Sequence, residues 1–419
     1  MRVADKKRFV ASVIALLLSL YGVVQPTFAH ASNPSCSPTA TTVGSQTVLE
    51  FDYAGSDTNT NGNNKASTCD WTVPSFVTSI SVVVVGGGGS GGYGNQGGGG
   101  GGGEVLYSSS PITVSPNSIK TISVGAGGGG INSQVSIAQG NDGATSSFAG
   151  VVAHGGGGGG GGRPTDTNLM NSGRTGGSTG GNSRYGSLTN STTQTQSFGW
   201  VSLSNIGGIG AGKQDNNAGV ANSPTCWPYG AGGGGGGAMS VGTSATASCT
   251  GSAGVVTVTA GQGGAGAYLL GRCVGGGGGS QAYNSSSNSG TSNLTRTSSV
   301  PCIDPLSNQT IANANSGGYD TTGSNPIAGD SNSGSGASSS GLNSGTAPNG
   351  SNGVVLIAYA GIGCTAGSYS TTTSGSYTIG TFMTPDEVNT NATCTWVAPS
   401  GVSVIDVLVV GGGGGGGGE

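Results

Sequence analysis

Two histidines occur in this 419-residue chain, and one of them, His30, lies in a leader-like first segment. That leaves His154 as the only imidazole for chemistry, and no Ser, His and Asp set can be assembled around it. The sixteen acidic residues are too scattered to suggest paired carboxylates at a pocket. Zinc is disfavoured because there is no Cys-x-x-Cys and His154 has no second histidine; beside a glycine run, it reads as a solvated or packed residue. Gly207-Gly208-Ile209-Gly210-Ala211-Gly212-Lys213-Gln214 nearly spells a phosphate-binding loop. It lacks the terminal Ser or Thr that would ligate Mg²⁺, and Asp215-Asn216-Asn217-Ala218-Gly219 does not open a helix whose N-terminus would cradle phosphate. Gly-x-Gly-x-x-Gly recurs inside the glycine runs without a βαβ unit around it. The calcium-binding nonapeptide is absent, and Asn141-Asp142-Gly143 reads as a turn. The expectation is a chain that is not an enzyme, with no catalytic residues, no cofactor and no metal site.

Thiol oxidation and surface contact remain. Arg2, Lys6, Lys7 and Arg8 precede an apolar stretch over 9–24, and Ala29-His30-Ala31 has the small-x-small pattern of a cleavage site. Residues 1–31 therefore read as a secretory signal peptide cut after Ala31, with a secreted or cell-surface destination and no membrane insertion after cleavage. The apolar stretch is too short, and too closely followed by Pro26, to favour an uncleaved anchor. Eight cysteines in an exported chain favour disulfides. Their order suggests local pairs: Cys36 with Cys69, Cys226 with Cys249, Cys273 with Cys302, and Cys364 with Cys394. Eight cysteines allow 105 connectivities, and the support for this set is that the first and last pairs recur together. Loops of that size gain about 3–4 kcal/mol each by chain entropy. The aromatics Tyr185, Phe198, Trp200, Trp227 and Tyr229 lie on polar stretches between glycine runs and are candidate ligand contacts; alternatively they pack over the ends of the glycine elements or on the disulfides.

The elements that must position these residues are dominated by 91 glycines. Charged residues are only 7% of the chain and form no basic stripe, so there is no basis for nucleic-acid binding. The glycines cluster in runs at 86–89, 97–103, 127–130, 155–162, 232–237, 275–279 and 411–418. Glycine is poor in helices and weak in strand interiors. What remains is the extended left-handed threefold helix, which makes no internal hydrogen bonds and must bond to neighbouring helices. Flexible linkers are the alternative, but linkers have no reason to alternate with β-branched segments such as 81–85, 119–124, 254–259 and 353–359, which read as short strands. The fold class expected is mainly β and irregular, with a short-strand base, a polyglycine II bundle, long loops and essentially no α-helix after the leader. A second regularity is the repeat of Cys36, Cys69-Asp70-Trp71-Thr72-Val73-Pro74-Ser75 and the strand to Val85 as Cys364, Cys394-Thr395-Trp396-Val397-Ala398-Pro399-Ser400 and the strand to Val410. One module therefore spans 36–360, divided into a β-rich opening (36–124), a glycine-run bundle with loops (125–279), a Ser/Asn/Gly-rich insert (280–352) and a closing strand (353–360). Residues 361–419 begin a second, truncated module, as in a piece of a longer array.

Trp71-Thr72-Val73-Pro74 followed by the strand 77–85 and a glycine run resembles the opening of bacterial and phage glycine-rich domains. Ile122-Ser123-Val124-Gly125-Ala126-Gly127-Gly128, Gly143-Ala144-Thr145-Ser146-Ser147-Phe148 and Gly353-Val354-Val355-Leu356-Ile357-Ala358-Tyr359 resemble that family's later landmarks, in order. The chain is also similar, more loosely, to the glycine-rich domain of anaplastic-lymphoma-kinase-type receptors. The resemblance implies a β-rich base joined to polyglycine II helices, with loops that meet a surface receptor or protein ligand. The expected function is a non-enzymatic exported scaffold that displays loops for adhesion or recognition of a surface protein or glycan. The alternatives are a structural spacer or matrix protein and, less favoured, ice binding or a non-catalytic part of a larger secreted enzyme. The oligomeric state is open in the sequence.

Overall fold

Four consecutive valines, Val82 to Val85, can only be accommodated in a strand with both faces covered, and this is the centre of the fold. The computed structural model describes residues 33–44, 46–60, 63–75, 77–94, 97–131, 138–161, 172–183, 192–194, 198–207, 211–213, 229–250, 255–284, 292–295, 300–316, 330–340, 346–360, 363–364, 368–374, 377–383, 394–395 and 404–411. Among them there is no α-helix; the architecture is mainly β and irregular.

The strands of the base are β1 (Thr39–Val43), β2 (Gln46–Asp52), β3 (Ala66–Thr72), β4 (Ser79–Val85), β5 (Val105–Ser108), β6 (Ile112–Thr113), β7 (Ile119–Gly125), β8 (Ser146–Phe148), β9 (Val151–Ala153) and β10 (Trp200–Leu203). The closing strand Val354–Ala360 inserts between β2 and β4, so the main sheet runs β1, β2, closing strand, β4, β5, β10, with β6 against the start of β4. A second sheet orders β3, β7, β8 and β9. Val354 lies opposite Val85 and Ile357 opposite Val82 in the antiparallel register. One face of the main sheet contributes Phe51, Val82, Val84, Leu106, Val355 and Ile357 to a core shared with Trp71, Ile122 and Phe148 of the second sheet. Phe51 and Trp71 meet edge to face, with ring centroids 6.2 Å apart, a favoured aromatic geometry. The other face sends Val83, Val85, Val105, Val354 and Leu356 onto Leu269 and Val274. All four expected strand segments are present, and each face of β4 has its own core.

The glycine runs continue directly from these strands. β4 leads into residues 86–92, the chain turns back through 98–104, and Glu104 leads into β5. Within the run 98–104, N–H groups of Gly98, Gly101 and Glu104 donate to the carbonyls of Gly160, Gly157 and His154. Those of Gly99 and Gly102 donate to Gly233 and Gly236, and those of Gly100 and Gly103 to Ala337 and Gly334, at 2.8–3.1 Å. Its carbonyls accept in turn from Gly89 and Gly92, from Ser178 and Gly181, and from Gly278. Every third residue returns to the same neighbour, the signature of a threefold extended helix bonded only to others. The neighbours also close a ring: Gly159 donates to Ser90, Gly157 to Ser178, Gly236 to Thr179, Gly235 to Gly278, Gly336 to Gly276 and Ala337 to Gly89. The run 98–104 is thus a central helix in a hexagon, and a further layer includes 138–144, where Ser90 N–H donates to Asn141 and Gly140 N–H to Gly159.

One segment joins the lattice and one expectation changes here. Part of the Ser/Asn/Gly-rich segment 280–352 lies among the glycine runs. Residues 333–340 supply the sixth position of the ring, because serine and alanine are small enough for ring sites whose glycines face inward. A Cβ on Gly336 would lie 2.1 Å from the Gly100 carbonyl oxygen. Ser333, Ser335, Ala337 and Ser339 are buried, with hydroxyls bonded, as in Ser333 to Ser335 (2.8 Å) and Gln281 N–H to Ser339 (2.9 Å). Asn141-Asp142-Gly143, read from sequence as a turn, is an extended segment of the outer layer. Its turn-forming side chains are engaged in lattice bonds, so they leave the backbone free to run straight.

Candidate interaction surface

Seen from the residues upward, the polar groups of the chain fall into those consumed by the lattice and those presented at its edges. Glu104 is fully buried where the central helix passes into β5. One carboxylate oxygen accepts from the His154 backbone N–H (3.0 Å) and faces His154 Nδ1 at 2.8 Å, and the other accepts from the Ser202 hydroxyl. A buried carboxylate is tolerated only when so surrounded. The cluster ties β5, β9 and β10 to the lattice end. His154 is thus a partner of Glu104, and Ser202 bonds the carboxylate instead of the imidazole, so the three do not form a nucleophile with its base. Sequence reasoning missed Glu104; the available signal was a charged residue closing a glycine run, repeated as Glu419.

Asp142 pins the outer layer. It accepts from the Gly158 N–H at 2.9 Å and from Arg174 Nε at 2.8 and 2.9 Å, while Arg174 Nη1 donates to Gln139 at 3.1 Å. Burial raises its carboxyl above the ordinary range, opposed by the Gly158 bond and by Arg174. A second charged group lies at the sheet: Arg272 Nη2 is 3.0 Å from Glu50 Oε1 and donates to the Asn332 carbonyl at 3.2 Å. Glu50, Asp52 and Asp330 are all raised, first by burial, with Arg272 pulling each of them back. No group of three or more His, Cys, Asp or Glu able to hold a metal occurs among the described residues.

The cysteines brace the base. Cys36 and Cys69 are disulfide-bonded with Cα atoms 5.0 Å apart, and the Cys36 N–H donates to Asp70. Cys273 and Cys302 are bonded with Cα atoms 5.9 Å apart. Cys364 and Cys394 face each other in backbone register in the second module. Cys226 lies outside the described residues, and Cys249 lies in the strand Thr246–Thr250.

The aromatic candidates separate by environment. Phe198 is fully exposed (106%) on a turn held at Gly199, whose φ of +78° suits glycine. The Gly199 carbonyl accepts from the backbone N–H of Ser109 (3.0 Å) and from its hydroxyl (3.1 Å). Trp200, two residues on, pairs with Ser108 and packs half-buried against the main core. Tyr229 sits in the short strand Tyr229–Ala231, opposite Lys213 and Asn284. Tyr185 and Trp227 lie outside the described residues. Among the described side chains of this set, Phe198 is the exposed one.

A strand base continuous with a hexagonally bonded glycine lattice defines a glycine-scaffold protein. Residues 60–360 match the model of the glycine-rich domain family, and the chain belongs to that family. No curated protein matches the sequence. The described part contains no helix long and apolar enough to cross a membrane.

Proposed function

We propose that the chain is a non-enzymatic, exported surface or extracellular scaffold that displays loops for adhesion or recognition. The observation that carries this reading is the contrast between the lattice and its rim. Among the described residues the lattice backbones meet in direct hydrogen bonds, while Phe198 projects fully into solvent from a turn braced by Ser109. A large apolar ring held on a rigid turn supplies contact area at low entropic cost. The disulfides Cys36–Cys69 and Cys273–Cys302 suit an oxidising compartment, and the leader-like residues 1–31 suit export with cleavage after Ala31. A partner of this kind is a surface protein or a glycan, held by the rim loops.

The test is binding of the purified chain to arrayed glycans and to immobilised cell-surface protein fractions, in parallel with Phe198→Ala. The expected result is a retained signal for the wild-type chain that falls at least about tenfold in the variant, a loss of about 1.4 kcal/mol, with an unchanged melting temperature. Binding indifferent to Phe198, or no binding to either class, overturns display through this loop and favours the spacer.

A further inference from the structure

The chain that carries the Phe198 turn is uncharged over a long distance. Residues 105–119, which include β5 and β6, and residues 186–212, which include the turn and β10, contain no Asp, Glu, Lys, Arg or His. Both strand ends at the turn are tied down. The Gly199 carbonyl accepts from the Ser109 backbone N–H at 3.0 Å and from its hydroxyl at 3.1 Å. Ser108, opposite Trp200, accepts the Val82 N–H on its hydroxyl at 3.1 Å, and Trp200 packs on the main core. The backbone beneath the Phe198 ring is therefore held before any ligand arrives, which lowers the entropic cost of contact. On the facing strand end Ser109, Ser110 and Pro111 are exposed. The described turn thus offers one aromatic ring and the hydroxyls of Ser109 and Ser110, with no ion.

We propose that the occupant of this turn is a neutral saccharide, one pyranose ring of which stacks on Phe198. The proposal rests on the display reading above and names its ligand class. The faces of an aromatic ring carry the negative part of its quadrupole. The C–H bonds on one side of a pyranose, polarised by the ring's oxygens, present the positive surface that complements them. The hydroxyls at the rim of the same sugar both donate and accept, and serine hydroxyls match them in kind because they also do both without charge. An acidic glycan or an anionic lipid headgroup would meet no cation on these segments and gain no steering from them. A protein is the less fitting occupant. A stable protein interface covers about 800 Å² a side around a desolvated anchor, whereas the described turn presents one large exposed ring, the size of a single sugar face. Contact through one stacked ring and a few hydroxyls belongs to the weak end of the affinity scale, with a Kd on the order of 1 mM.

Saturation-transfer NMR of the full chain, irradiated at its aromatic protons, tests the assignment. The probes are neutral oligosaccharides of glucose, galactose, mannose and N-acetylglucosamine, with sialylated and sulfated oligosaccharides alongside. At least one neutral probe is expected to receive saturation on the C–H protons of one ring face, with an affinity that is unchanged between about 0.05 and 0.5 M salt. Phe198→Tyr, which keeps the ring, should retain the signal. Phe198→Leu, which keeps apolar volume but no aromatic face, should weaken binding at least about tenfold at an unchanged melting temperature. Equal affinity in Phe198→Leu overturns the proposal, as does binding confined to the acidic probes. Phe198-dependent binding to immobilised surface proteins with none to the neutral saccharides also overturns it, while leaving display through this loop in place. Loss of Phe198-dependent binding to saccharides and proteins alike removes both readings.

Discussion

Gly158 shows at a single position what the lattice demands. A Cβ built on it would lie 2.0 Å from the Gly140 carbonyl oxygen and 2.2 Å from its carbon, so backbone itself would have to move. Gly158→Ala is expected to cost several kcal/mol, like other substitutions that force a packed interior apart. Gly150 is the matched control: its φ is +88° and nothing lies within 4 Å of an added Cβ. Gly150→Ala is expected to cost only the left-handed backbone penalty, about 1–2 kcal/mol. Denaturant melts of the two variants measure the difference, and equal losses would mean that glycine is needed for conformation and not for close approach. Glu104 makes the complementary point for a side chain. Glu104→Ala would leave the Ser202 hydroxyl and the His154 N–H without their buried acceptor, and a loss of about 2–4 kcal/mol is expected. Glu104→Gln, which keeps an acceptor and the side-chain volume, should lose clearly less in the same melts.

At the scale of elements, what was legible in the sequence is what has a local cause. β4, β7 and the closing strand announce themselves by β-branched content, and the uninterrupted Val82 to Val85 already implies two covered faces. The glycine runs exclude helix and ordinary strand, which leaves the threefold helix. Less legible was membership of the lattice for segments that are not glycine runs. Residues 333–340 look like a Ser-rich linker, because the requirement that glycine face the central run applies only at positions such as Gly336 and is set by neighbours far away in sequence. The Glu104 cluster was hidden for a similar reason, since His154 and Ser202 reach it from separate strands. The hexagon also makes a prediction that the linker reading does not share. Amides of 98–103 are enclosed on every side by other runs, so their exchange with solvent should be the slowest of all the glycine amides, slower than that of 127–130 in the outer layer, and should track global unfolding. Exchange of 98–103 at the rate of an open peptide would remove the lattice.

For the whole molecule, stability should depend on pH in a direction opposite to the usual one for carboxylates. Glu50, Asp52, Asp142 and Asp330 have raised carboxyls, in each case chiefly through burial. The folded chain therefore holds these protons more tightly than the unfolded chain does. The stability they contribute is fully present below the ordinary carboxyl range and is lost as pH rises through their raised values. Asp304 works the other way: bonds from the Ser307 hydroxyl and the Leu306 N–H lower its carboxyl, and its contribution is lost as pH falls through that lowered value. Between neutrality and the ordinary carboxyl range the four raised groups dominate, so the melting temperature should rise as pH falls from neutrality toward that range, and should turn downward only in stronger acid. Arg272 supplies the control, because it opposes the upward shift at Glu50, Asp52 and Asp330. Arg272→Gln should cost about 1 kcal/mol at neutral pH, as expected for a half-exposed ion pair, and progressively less as the three carboxyls take up protons. Melting curves of both proteins across this range decide the matter: a wild-type melting temperature that falls steadily on acidification, or an Arg272→Gln deficit that grows in acid, would show that burial does not govern these carboxyls.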